Sequence, residues 1–102
     1  MMLESEIVSK FLDEKVPMGG GPIWDAWVKA CLSLPSSTPA ILLQQLRTGP
    51  RQRHYAAVLV LRQWGHEARG SWEGGQYHFK VWSNSEAKGD PQTIIPVEQP
   101  GA

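Results

Sequence analysis

An α+β domain is the fold class this chain predicts, and three observations carry the prediction. Thr38 opens an apolar helical run that breaks at Gly49-Pro50. A second run starts on Arg51-Gln52-Arg53-His54 and stops at Gly65. Two strand-patterned segments then flank Gly74-Gly75 and close at Trp82. Helix, turn, basic helix and hairpin, in that order, is the arrangement of a winged helix-turn-helix, here about four helices followed by a hairpin wing.

The elements follow in chain order. Over residues 3–15, Leu3, Ile7, Phe11 and Lys15 step by four, with Val8 and Leu12 on the same face, which predicts an amphipathic helix ended by Pro17. Met18-Gly19-Gly20-Gly21-Pro22 reads as a loop. Ile23 to Leu34 is a second helix with Trp24, Trp27, Val28, Cys31 and Leu32 on one face, stopped by Pro35. Thr38 suits a helix cap and Pro39 the first helical position. Ile41, Leu42, Leu43 and Leu46 make that third helix mostly buried. The fourth is expected from near Pro50 to about Trp64, with Gly65 where a left-handed stop residue belongs. Its run Val58-Leu59-Val60-Leu61 also fits a strand, but Pro50, Ala56-Ala57 and Gly65 favour helix. The Gly74-Gly75 turn pairs Glu73 with Gln76 and sets the register outward from there. Ala68, Gly70 and Trp72 then share one face with Tyr77, Phe79 and Val81. Glu67, Arg69, Ser71, Gln76, His78, Lys80 and Trp82 share the other. Residues 1–82 are thus expected to form the domain, with a helical N-terminal extension. Residues 83–102 are polar and rich in Pro and Gly and are expected to be a flexible tail, although Thr93–Val97 has the composition of a short edge strand.

Composition bounds the function. The chain has 102 residues, a hydrophobic share of 41%, a single Cys and zero formal net charge. One domain with a modest core fits that length. A lone Cys31 excludes an intrachain disulfide framework and agrees with a cytoplasmic compartment. The acidic N-terminus is not a signal peptide, and no window offers the roughly 20 apolar residues of a membrane span. Neutrality argues against a nucleic-acid binder, but the charge is unevenly spread. From Arg47 to Lys80, six basic residues stand against Glu67 and Glu73, a balance of +4, while residues 1–34 and 81–102 each carry −2. A basic centre between acidic ends points to an anionic partner.

Arg51, Gln52, Arg53 and His54 stand where a recognition helix meets base edges, Arg matching guanine and Gln adenine. Two Arg at a helix N-terminus oppose the dipole by about a few tenths of a kcal/mol, so a plain polar start is the mildly disfavoured explanation. Arg69 and Lys80 oppose each other across the hairpin. Either a phosphate or the diagonal Glu67 relieves that repulsion. With Ser71 and His78 they make the candidate wing contacts. Trp72, Tyr77 and Phe79 have the makings of a stacking platform, but their inward face favours core, as for Trp24, Trp27 and Trp64. Trp82 is the aromatic expected to be exposed. His54, His66, His78 and Cys31 match no metal-ligand spacing, the Gly19–Gly21 loop lacks the Lys-Ser/Thr of a phosphate loop, and nothing assembles a triad. No metal, cofactor or enzyme activity is therefore expected.

Pro39–Leu46, Arg51–Leu59, Leu61-Arg62-Gln63-Trp64-Gly65-His66-Glu67, Gly75 and Val81-Trp82 together resemble the C-terminal winged-helix module of phage-type primase–helicase proteins of the virulence-associated E group. The likeness covers residues 36–82, and the hairpin here is less basic than in such tails. The resemblance implies nucleic-acid binding, with Arg51, Arg53, Arg69 and Lys80 at the matching positions. The primase and ATPase parts have no counterpart in these residues. The sequence reading is thus double-stranded DNA binding by a monomer or homodimer, in replication or transcription control of a phage or mobile element. The alternative is a winged-helix protein-interaction module or a small phage-encoded inhibitor docking on a host protein.

Overall fold

A computed structural model describes residues 2–98. Four helices and a three-stranded antiparallel sheet follow one another: α1 (Glu4–Asp13), α2 (Pro22–Leu32), α3 (Thr38–Thr48), a single 3-10 turn (Arg51–Arg53), α4 (His54–Gln63), β1 (Glu67–Glu73), β2 (Gln76–Trp82) and β3 (Thr93–Pro96). This small α+β arrangement is compatible with a winged helix.

Each helix is delimited by local chemistry. Glu4 and Glu6 in the first turn of α1 and Lys10 in its last complement the helix dipole. Its buried stripe is narrower than the spacing predicted: Val8 and Leu12 are buried and Phe11 packs beside them, while Leu3 stays exposed. Pro22, not Ile23, opens α2, behind Gly21 at φ +88°. Thr38 is not the cap of α3. Its Oγ1 donates to the Pro35 carbonyl, 2.5 Å away, which ties the preceding turn to the helix start. Leu42 and Leu46 are wholly buried, each worth about 1.5–3 kcal/mol of hydrophobic stabilisation. Gly65, at φ +84°, ends α4 in a Schellman arrangement: the Gly65 N–H donates to Arg62 O and the His66 N–H to Leu61 O.

The hairpin has the expected register throughout, from Glu73↔Gln76 to Glu67↔Trp82. Gly74 and Gly75 both take positive φ, as a two-residue turn matching strand twist requires. Val8, Cys31, Leu42, Leu46, Ala57, Val60, Leu61, Phe79, Val81 and Ile95 form one core between the helices and the sheet.

The segment after Trp82 is not a tail through residue 98. Thr93–Pro96 pairs with β2, setting Ile95 opposite Phe79 and burying it. Ile95 joins the buried core cluster alongside Phe79, and the burial of its side chain offsets the chain freedom lost. Further bonds hold this segment: Val97 N–H to Tyr77 O, Glu98 N–H to Arg47 O, and an Arg47–Glu98 ion pair at 3.5 Å. Residues 99–102 of the expected tail lie outside the described residues.

Candidate nucleic-acid interface

The start of the fourth helical segment is split. Arg51-Gln52-Arg53 forms the 3-10 turn, and the α-helix proper begins at His54. Pro50, which supplies no N–H and holds an extended conformation, delays the helix by one turn. The tighter winding sends the four candidate residues in different directions. Arg51 and Gln52 are exposed. Arg53 turns back onto α1, where its Nε and Nη2 donate to the two carboxylate oxygens of Asp13 at 2.7 and 2.8 Å. That bidentate pair holds the Asp13 carboxyl below its usual range and raises the Arg53 guanidinium, the shared hydrogen bonds being the main cause of both shifts.

His54 is buried, only 8% exposed, edge-on to Phe79 with ring centroids 5.4 Å apart. Burial pushes its imidazole below its ordinary value. The Gly49 and Gln45 carbonyls act in the opposite direction, and Arg51 adds a smaller depression. Its Nε2 has no partner. A buried, uncharged imidazole is part of the packing between α4 and the sheet, so His54 leaves the list of groups able to reach DNA directly. Arg53 leaves it too, as long as Asp13 holds it.

On the hairpin, Arg69 and Lys80 are cross-strand partners as the register demands. The diagonal Glu67 does not relieve their repulsion. Lys80 Nζ pairs with Glu73 Oε1 at 3.0 Å, and this lysine holds the Glu73 carboxyl below its usual range. The Arg69 guanidinium carbon lies 5.6 Å from the centroid of the Trp82 ring. Glu67 is buried and accepts from Arg62 Nε at 3.0 Å instead. Ser71 and His78 are half-buried on this same face, and His78 Nδ1 is unpartnered.

Two aromatic assignments are reversed. Trp82 is buried, because the loop after β2 folds across it and Gly89 O accepts its Nε1–H at 2.9 Å. Trp72, next to the turn, is 58% exposed. Trp72 and Tyr77 lie 5.3 Å apart at the hairpin tip. They join Arg51, His54, Val97 and Glu98 around a cleft of about 170 Å³. That is below the roughly 300 Å³ at which cofactor-sized sites begin. Tyr55, 70% exposed on the first turn of α4, adds a further aromatic that its place in an apolar run concealed. Trp27 and Trp64 do pack against the core, and Trp64 Nε1 donates to Cys31 O at 3.1 Å.

The electrostatics differ from the linear count. Arg47, Arg53, Arg62 and Lys80 each have a carboxylate partner: Glu98, Asp13, Glu67 and Glu73. Asp13 and Glu98 come from outside the basic stretch, which no window of sequence reveals. Among the described residues, Arg51 and Arg69 are the basic side chains of this stretch without an ion-pair partner. Cys31 is buried, and burial pushes its thiol up to about 12, so it is neutral and unreactive near neutral pH. Among the described residues, no three His, Cys, Asp or Glu side chains gather as metal ligands, and no helix is long and apolar enough to cross a membrane.

No protein-family model, curated protein or solved structure matches this chain.

Proposed function

We propose that this domain is a winged helix that binds double-stranded DNA, with Arg51 and Gln52 presented to base edges and Arg69 to the backbone. The observation that carries the proposal is the exposed, ion-pair-free Arg51 beside Gln52 at the leading end of α4, with the hairpin rising on one side. Tyr55, one turn further on, is the neighbouring surface that a groove edge would meet. Arg53, His54, Ser71, His78 and Lys80 support the docking face and do not contact DNA in this reading. A place in replication or transcription control of a phage or mobile element goes with it, on the resemblance of residues 36–82.

The test is anisotropy of a labelled duplex titrated with wild-type protein and with Arg51→Ala. Loss of one specific guanidinium contact should weaken binding about 5- to 150-fold. Equal affinity in the variant, with wild type binding at low salt, would remove α4 from the interface.

A second reading is favoured by one observation: Tyr55 and Trp72, 70% and 58% exposed, lie where four basic side chains are already neutralised. Exposed aromatics with little free charge suit a protein partner. A partner bound that way would stay bound in high salt, whereas DNA would not.

A further inference from the structure

β1 and β3 are the edges of the sheet. β3 is four residues long and contains Pro96, which has no N–H to offer. β1 is seven residues long, lacks proline, and is exposed at Arg69, Gly70, Trp72 and Glu73. In a two-residue hairpin the residues flanking the turn are a hydrogen-bonded pair. Glu73, Ser71 and Arg69 therefore direct their backbone groups to β2, and Gly70 and Trp72 direct theirs outward. These outward groups are a template for another strand.

We propose that a second copy of this chain fills that edge, its β1 lying antiparallel to the first across a two-fold axis at Ser71, so that two three-stranded sheets become one. Charge complementarity selects this register. Arg69 then stands opposite the second copy's Glu73, twice by symmetry, in non-hydrogen-bonded positions where side chains approach most closely. A register centred on Gly70 would instead set Glu67 against Glu73, a like-charge pair.

Shape agrees with charge. Centring on Ser71 sets the second copy's Trp72 opposite Gly70, on the sheet face that α4 covers. A groove lies there, lined by Tyr55, Val58, Leu59, Arg62, Gly70 and Tyr77. Position 70 has no side chain, and the Tyr77 ring takes up the space one would fill, its hydroxyl so close that a Cβ would collide with it, so the wall an incoming indole meets is that ring. The exposed indole of each copy thus meets the vacant groove of the other, which is the self-complementarity an isologous dimer requires. This inference does not depend on DNA binding.

Sedimentation velocity across a concentration series, with amide exchange of the full chain, tests it. The protein should dimerise, and the Gly70 and Trp72 amides should exchange more slowly as dimer forms. Arg69→Glu should raise the dimer dissociation constant about tenfold or more, and Arg69→Glu with Glu73→Arg should restore it. Trp72→Ser, at an exposed site, should weaken it as well. A monomer at every concentration overturns the inference. So does a dimer indifferent to Arg69→Glu, or one whose Gly70 and Trp72 amides stay unprotected.

Discussion

Pairing of cations makes a quantitative claim about salt. If Arg51, reaching into the groove, and Arg69, at the backbone, are the only cations free to offset phosphate charge, log affinity should fall with log salt at a slope of about −1.8 per protomer, from roughly 0.9 per neutralised phosphate. Between 50 and 200 mM salt that is a loss of about 12-fold. If all six basic residues from Arg47 to Lys80 took part, the slope would be about −5.4 and the loss about 1800-fold. The two cases are separated by a factor that anisotropy titrations resolve easily. The perturbation that exposes the mechanism is Asp13→Asn. It releases Arg53 from its bidentate partner at 2.7 and 2.8 Å. The freed Arg53 shares the 3-10 turn with Arg51, so a guanidinium that swings to the DNA should steepen the slope by about 0.9 and raise low-salt affinity. Circular dichroism of the variant controls for loss of α1 packing. A wild-type slope near −5.4 would show that the ion pairs open on binding and would overturn the two-cation count. An unchanged slope in Asp13→Asn would place Arg53 outside the interface altogether.

Three further outcomes are expected. His54 has a folded-state pKa below its unfolded value because burial opposes the charged form, so the unfolded state binds the extra proton. Stability should be fully present above the unfolded value of about 6.5 and decline as pH falls through the lower folded value; His54→Leu should flatten that decline in denaturant titrations, and an equal decline in the variant would assign it to another group. Leu42→Ala, at a wholly buried position, should cost about 2–5 kcal/mol by urea unfolding, and a loss under about 1 kcal/mol would mean the core is not centred there. Gly65→Ala should cost about 1 kcal/mol or more because φ is +84° with open space around it, so strain alone acts; Gly65→Asn should recover part of the loss, and thermal melts decide between them.

Much of the architecture was legible in local chemistry. Pro17, Pro35, Gly49-Pro50, Gly65 and Gly74-Gly75 punctuate the chain, and each boundary from the end of α1 to the start of β2 falls within a few residues of one of them. The hairpin register followed from the turn length and the alternation of apolar residues, because a slip of one residue would turn every side chain to the wrong face. The third strand was ambiguous in the sequence: Thr93–Pro96 is short, and its gain comes from Phe79, which is far away along the chain.

The candidate site was half legible. By itself the sequence determined which residue types gather near the front of α4 and on the hairpin, and that the two faces of the hairpin would differ in polarity. It could not determine which charges remain free. Asp13 is 40 residues from Arg53 and Glu98 is 51 from Arg47, yet packing of α1 and of the final strand brings each pair together. Exposure of the aromatics was likewise decided late: Trp82 depends on a loop folding over it, and Trp72, next to the turn, stays exposed. Periodicity and turn chemistry act between neighbours along the chain. Ion pairing and burial act between neighbours in space, and only the tertiary structure says which residues those are.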